Sequence, residues 1–276
     1  MAAALYHRAK KSLGQNFLID PNLQRKIVEV LAPAPGDRVV EIGPGTGALT
    51  RHLVGRVGHL TLVELDDDLA ARFQEEYAER DDVDVVHGDV LEIPMRELAA
   101  GEPSFKVIGN IPYGITTPLI FRLLDVGGPR PQLIVLTVQR EVAERLAAGP
   151  GTKDYGALSV GVQAVARVET LFRITRQAFR PRPNVDSMLI RIVPVMPPPL
   201  SASEEEAFRR LTRAAFSRRR KQLQKVLRQA PDYALSGEEA GNLLRSLDID
   251  PATRPDALPV ADYVRLAAAL TRERSL

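Results

Sequence analysis

The sequence predicts an α/β protein: a Rossmann-like, mainly parallel sheet with helices on both faces, followed by a smaller all-helical C-terminal domain. Three observations predict it. Short β-branched runs alternate with longer amphipathic stretches as far as residue 193, and strand–helix–strand repetition builds a parallel sheet. A glycine-rich turn, Gly43-Pro44-Gly45-Thr46-Gly47, directly follows the first of those runs. Strand signals then stop at the proline-rich stretch Pro194–Leu200, beyond which helical periodicity takes over.

In chain order, strands are expected at Arg38–Ile42, Leu60–Glu64, Val83–His87, Lys106–Gly109 and Leu133–Val138. Helical patterns lie between them at Leu49–Val54, Asp67–Tyr77 and Thr117–Leu124. Val160–Val168 and Met188–Val193 follow as two closer strands, and the shorter spacing suggests an antiparallel edge. Pro194–Leu200 cannot continue a central strand or a helix, because proline removes donors and fixes φ. It reads as a linker between domains spanning 1–195 and 196–276. Ser203 and Glu206 form a capping box ahead of an apolar-periodic run from Phe208 to Phe216, with two or three further helices after it. No internal repeat is present.

Composition limits the chemistry. The 276 residues are 45% hydrophobic and 26% charged, enough for one good core and a smaller second domain. No apolar run approaches a membrane span. Net charge is only +2, so the placement of Lys and Arg matters more than their total. With no cysteine, a disulfide framework, a thiolate metal site and the covalent route to C5-methylated pyrimidines are excluded. Four scattered histidines argue against a catalytic zinc, and no metal is expected. Residues Met1 to Lys11 are basic and lack an apolar h-region, so they are not a secretory signal. The motif-bearing segment begins near Lys10, which leaves little room for a presequence, and a cytoplasmic protein is expected.

Glycines after a first strand allow a tight turn and a close ligand approach. Here they fall at 43, 45 and 47 with Pro44 between, unlike the dinucleotide G-x-G-x-x-G, so no pyrophosphate cradle is implied. Glu64 ends the second strand, twenty-one positions past Gly43. A carboxylate there can accept from both ribose hydroxyls of a nucleotide-like ligand, whereas Asp66, Asp67 and Asp68 fit solvated helix-entry acids. Asp89, in Gly88-Asp89-Val90 after the third strand, suits an adenine amino group; an aspartate capping the following turn is the plain structural alternative.

The most specific signal is Asn110-Ile111-Pro112-Tyr113 after the fourth strand. A neutral aryl amine is a poor nucleophile because its lone pair is delocalised into the ring. A sulfonium methyl donor is reactive enough to need no metal and no covalent intermediate. What remains is to align the nitrogen with the methyl carbon and draw its lone pair out of conjugation. Acceptors at Asn110 and at the Pro112 carbonyl can do that, while Tyr113 offers a face for the base. The loop Phe179-Arg180-Pro181-Arg182-Pro183-Asn184-Val185-Asp186-Ser187 is held extended by its prolines. It is expected to present Phe179 as the second wall of a base sandwich, with Arg180 and Arg182 on phosphates.

At these residues the sequence resembles the ribosomal RNA adenine dimethyltransferase family, in its bacterial small-subunit branch. The pieces are Lys11-Ser12-Leu13-Gly14-Gln15-Asn16-Phe17-Leu18, the Glu41–Gly47 turn, Glu64, Gly88-Asp89, Asn110–Tyr113 and Phe179–Ser187. They cover nearly the whole chain in the family's order. The resemblance implies S-adenosylmethionine as cofactor, with contacts at Asn16, Leu18, Gly43, Glu64, Asp89 and Asn110; Gly45 joins them from the turn. It also implies transfer of two methyls to each of two adjacent adenosines near the 3′ end of small-subunit rRNA, as a step in subunit biogenesis. One departure, Gly114 after Tyr113 where asparagine is frequent, touches loop stiffness more than chemistry.

The densest basic cluster, Arg218-Arg219-Arg220-Lys221 with Lys225 and Arg228, would set residues 218, 221, 225 and 228 near one helix face. Such runs are usually solvated faces, but a phosphate-bearing substrate makes an RNA-binding role the expectation for Arg218, Arg219, Lys221 and Lys225. His7, Arg8, Lys10 and Lys11 form a possible second patch. The expected partner is the small ribosomal subunit, with no membrane and no need for a dimer. The alternatives are a large-subunit rRNA adenine methyltransferase, disfavoured by Asp186 and the long helical C-terminus, and an assembly factor acting mainly by binding. DNA-adenine or protein-glutamine methylation leaves the Phe179 loop and Arg218 cluster less well explained. An NAD-dependent oxidoreductase conflicts with the glycine spacing.

Overall fold

A computed structural model of the chain describes residues 9–99 and 104–273; His7 and Arg8 of the expected basic patch lie outside them. The elements run β1 (Phe17–Leu18), α1 (Pro21–Leu31), β2 (Arg38–Ile42), α2 (Thr50–Leu53), β3 (His59–Glu64), α3 (Asp67–Glu76) and β4 (Val83–His87). Next come α4 (Met95–Leu98), β5 (Lys106–Asn110), α5 (Thr116–Leu123), β6 (Leu133–Gln139), α6 (Arg140–Ala147) and α7 (Ala157–Gln163). The chain continues with β7 (Ala166–Ile174), β8 (Phe179–Arg180), β9 (Ser187–Pro194), α8 (Ala202–Ser217), α9 (Leu223–Gln229), α10 (Gly237–Ser246) and α11 (Val260–Glu273). It divides into two compact units, one holding the residues up to Ala143 with Glu169–Pro194, the other Glu144–Val168 with Val195 onward.

The first unit is built on a seven-stranded sheet in the order β4-β3-β2-β5-β6-β9-β7. β4, β3, β2, β5 and β6 are parallel, and β9 joins β6 antiparallel. The five expected parallel strands fall within a residue of their sequence-read limits: β2, β3, β5 and β6 are mostly buried apolar runs, and β4, at the sheet edge, carries Asp84 and His87 exposed. β2 is flanked by β3 on one side and β5 on the other. At such a switch in winding direction an open sheet leaves a crevice beyond its carboxyl edge, where ligands bind. Helix α1 starts sharply because Asp20 accepts from the Asn22 and Leu23 N–H groups and Pro21 opens the first turn.

Two local expectations are corrected. Val160–Val168 is not one strand: α7 occupies Ala157–Gln163 and β7 begins at Ala166. Leu158, Ser159, Val160 and Val162 are all buried, so the helix shows the same unbroken apolar run as a buried strand. The capping box at the start of α8 is Ser201–Glu204, two residues ahead of Ser203–Glu206. Glu206 instead pairs with Arg210 one turn on, at 2.8 Å.

The second unit contains α7 to α11, so helical material ahead of residue 195 belongs with it. α7 packs on α8 and α11. Tyr155 and Tyr263 are fully buried, with Phe216 at ring-centroid distances of 6.1 and 5.8 Å. Their phenols donate to the Leu258 and Pro255 carbonyls at 2.9 and 2.8 Å, which satisfies both polar tips. The basic cluster does not lie on one helix. α8 stops at Ser217 and α9 starts at Leu223, so 218–222 form the turn between them. Arg219 is committed within the unit: its guanidinium meets Asp256 at 3.1 Å and donates to the Lys153 and Thr152 carbonyls at 2.8 and 3.0 Å. Arg218 donates to the Gln229 carbonyl. Lys221, Lys225 and Arg228 are exposed.

Candidate active site

Beyond the carboxyl ends of β2, β3 and β5 lies a cleft open to solvent, the place where ligands bind in open α/β sheets. Asn16, Leu18, Gly43, Gly45, Glu64, Asp89 and Asn110 all line it, and so do Pro112 and Tyr113. The glycine turn forms its floor. Gly43 sits at φ +64°, donates its N–H to the Val63 carbonyl at 2.9 Å, and a Cβ there would meet no atom within 4 Å. Gly45, at φ +58°, is covered by the Phe17 ring, which a Cβ would approach to 2.9 Å.

Glu64 is 5% exposed. Its Oε2 accepts the Gly45 N–H at 3.0 Å, and its Oε1 accepts those of Leu65 and Asp66, each at 3.0 Å. Burial pushes this carboxyl up, opposed by those three backbone donors. A carboxylate has about four acceptor positions, so one remains for a ligand hydroxyl. Asp89 uses Oδ1 to cap the turn, accepting from the Leu91 N–H at 2.8 Å, while still lining the cavity.

The opposite wall is the N-terminal segment 13–18. The Asn110 amide donates to the Asn16 carbonyl at 2.8 Å, which orients the side chain that the methyl-transfer chemistry calls for. β1 pairs antiparallel with β8, Phe17 opposite Arg180 and Leu18 opposite Phe179. Lys10 closes the segment over the start of α3, its ammonium 2.8 Å from Asp66 and 2.9 Å from Asp68. Gln15 donates to the second Asp66 oxygen at 2.9 Å. Lys10 is therefore bound to acids of its own chain rather than offered as a basic patch.

In the Asn110–Tyr113 loop, the Pro112 carbonyl accepts from the Ile115 N–H at 3.2 Å. One of its two lone pairs is left. The Tyr113 hydroxyl lies 2.8 Å from Ser187 Oγ, and burial raises its phenol above the ordinary value, with Ser187 opposing. Phe179 is placed differently from expectation. It is 4% exposed and belongs to the hydrophobic core with Leu18 and Ile27, outside the cavity lining. Side chains alternate along a strand, so its pairing with Leu18 turns Phe179 inward and Arg180 outward. Arg180 and Arg182 are exposed.

Glu41, Phe17 and Ser187 carry no role legible in the sequence, although each sits inside a motif. Glu41 is 1% exposed and lines the cavity, and its Oε2 has no hydrogen-bond partner. Its only sequence signal is an acid inside an otherwise apolar strand.

A profile of the ribosomal RNA adenine dimethylase family matches residues 6–272. The chain belongs to this family. Among curated members, the Ribosomal RNA small subunit methyltransferase A of Aromatoleum aromaticum is 44% identical, covering 94% of this chain and 93% of its own. That of Geobacter metallireducens is 41% identical, at 95% and 96% coverage. Among solved structures, a dimethyladenosine transferase from Plasmodium falciparum superposes with TM-score 0.81 at 25% identity, over 94% of this chain and 98% of the other. A 23S rRNA methyltransferase gives 0.69 at 25% identity, over 93% and 100%. The family member described here is thus a methyltransferase with the Rossmann-like sheet and helical C-terminal region of its relatives, and membership implies S-adenosylmethionine as the general methyl source. Among the described residues, no helix is long and apolar enough to cross a membrane.

Proposed function

We propose that the protein uses S-adenosylmethionine to dimethylate N6 of two adjacent adenosines near the 3′ end of small-subunit rRNA, as a cytoplasmic, monomeric enzyme of subunit biogenesis. The observation that carries this reading is the Asn110–Tyr113 loop lining the same cavity as Gly43, Gly45 and Glu64. The curated relatives at 41–44% identity are named for the small subunit, and the solved dimethyladenosine transferase superposes better than the 23S enzyme, with TM-scores of 0.81 and 0.69; both support the choice of subunit.

The cavity fits the cofactor. Gly43 leaves open space above its backbone, Glu64 keeps a spare acceptor, and the unpaired Glu41 oxygen is suited to a cation. When bound, S-adenosylmethionine supplies an electrophilic methyl. The chain's own residues do the rest. Asn16 fixes the Asn110 amide plane, leaving Asn110 Oδ1 to accept one N–H of the adenine amine. The remaining lone pair of the Pro112 carbonyl accepts the other, and both bonds draw the nitrogen out of conjugation. Tyr113, tied to Ser187, stacks on the base. Of the cationic residues assigned to RNA, Arg180, Arg182, Lys221 and Lys225 are exposed and supply phosphate contacts; Arg218 and Arg219 serve the fold of their unit.

The test is incubation with labelled S-adenosylmethionine and unmethylated small or large subunits, with modified bases mapped by primer extension and mass spectrometry. Dimethyladenosine at two neighbouring positions near the small-subunit 3′ end is expected. Label confined to the large subunit would overturn the substrate assignment, and no label in either would overturn the reaction.

A further inference from the structure

Buried polar groups are hydrogen-bonded in the great majority of cases, and leaving one unpaired is costly. Of the acids that line the methyl donor's cavity, Glu41 and Glu64 are buried, and the chain treats these two oppositely. Glu64 receives three backbone N–H donors. Glu41, 1% exposed on β2, has an Oε2 with no partner. Thr50 and Arg51 on α2, Glu64 on β3 and Tyr77 after α3 are the polar and titratable groups that act on it. Arg51 is directed elsewhere, donating to the Gly47 carbonyl at 2.8 Å, and the Tyr77 phenol is itself pushed up to about 12 by burial. Glu64 adds like charge. No cation of the chain neutralises Glu41 through a hydrogen bond among the described residues.

We infer that Glu41 is the cavity's buried counter-charge, giving up a proton to solvent when a methyl donor of net charge +1 enters and holding it more tightly beside the net-neutral demethylated product. The inference rests on the reading of this cavity as the S-adenosylmethionine site. Both ligands carry an ammonium and a carboxylate, and the donor has a sulfonium charge in addition that its product has lost. Ionisation of an otherwise uncompensated acid is favoured by each positive charge brought near it. The O–H bond of the Glu41 carboxyl breaks, its proton passes to buffer, and the carboxylate stays behind as partner to the ligand. Burial independently pushes this carboxyl up to about 8, with Thr50 opposing and Glu64 reinforcing.

The experiment is calorimetric titration at pH 6.5 in two buffers of different ionisation enthalpy, using S-adenosylmethionine and then S-adenosylhomocysteine. A group titrating at about 8 is almost wholly protonated there, so about one proton should be released per donor bound, and clearly less per product. Between pH 6 and pH 7 donor affinity should rise roughly tenfold. In Glu41→Gln both the proton release and the pH slope should vanish. Buffer-independent heats, equal release with both ligands, or an unchanged slope in Glu41→Gln would overturn the inference. Should that variant not fold, the two-ligand comparison on the unaltered protein decides. Absence of binding by either ligand would instead remove the cofactor reading, and this inference with it.

Discussion

Two glycines of one turn share a backbone conformation and differ only in what lies above them, which separates strain from crowding. Gly43 and Gly45 sit at φ +64° and +58°. An L side chain in that region costs roughly 1–2 kcal/mol. At Gly43 this is the whole structural cost, since an added Cβ meets nothing within 4 Å. At Gly45 the same Cβ would stand 2.9 and 3.0 Å from two Phe17 ring carbons, inside the contact distance of about 3.5–4.0 Å. Phe17 is held by the β1–β8 pairing, so overpacking adds about 1–3 kcal/mol. Gly43→Ala should therefore lower Tm by roughly 2–8 °C, and Gly45→Ala by roughly 4–20 °C. Ligand affinity should rank the other way relative to stability. The Gly43→Ala methyl projects into space the cofactor would use, and about tenfold weaker binding is expected for a stability loss no greater than about 2 kcal/mol. Thermal unfolding by circular dichroism, paired with calorimetric binding of S-adenosylmethionine, reads both quantities. Equal Tm losses in the two variants, or unaltered binding in Gly43→Ala, would refute the reasoning.

Phe179→Ala should cost about 3–5 kcal/mol of stability as a core truncation while leaving RNA affinity intact well below Tm; lost affinity at full stability would return the ring to the base. Arg219→Ala should lower Tm by breaking the Asp256, Lys153 and Thr152 contacts, whereas Lys225→Ala should leave Tm alone and flatten the salt dependence of RNA binding by roughly 0.7–0.9 in log–log slope. The reverse pattern would exchange their roles. The Arg176 N–H and the Arg173 guanidinium hold the Asp186 carboxyl below the usual range. A depressed acid contributes its full stability above its unfolded value and loses it as pH falls through the folded one. Acidification below about pH 4 should thus destabilise the protein, and Asp186→Asn should show a flatter stability–pH curve; identical curves would count against that ion pair.

How far the sequence could be read depended on how local the deciding interaction is. The parallel strands and the glycine turn are local patterns, and their order alone predicts where the crevice falls. α7 reads as a strand because burial on most sides erases helical periodicity and leaves β-branched composition to mislead. Phe179 looks like a wall for the base because a motif gives residue order without direction, and direction comes from a two-residue pairing with β1. Arg219 meets Asp256 thirty-seven positions on, and Lys10 meets Asp66 across fifty-six. Both looked like solvent-facing cations because no local pattern announces a distant acid.

The two acids of the cavity carry the same lesson into function. Glu64 stood out from the sequence because a strand-ending carboxylate at that distance from a glycine turn has a known use. Glu41 stood in plain view at the head of the same turn, yet sequence could not tell a solvated acid from one sealed beneath the backbone. The difference lies in donors: three N–H groups fix Glu64 in place and spare it a ligand's charge, while Glu41 Oε2 has none. A buried acid with one oxygen left without a donor has two inexpensive states, protonated when alone or ionised beside a cation. Since methyl transfer removes one positive charge from the cofactor, the chemical step itself changes which of those states is favoured.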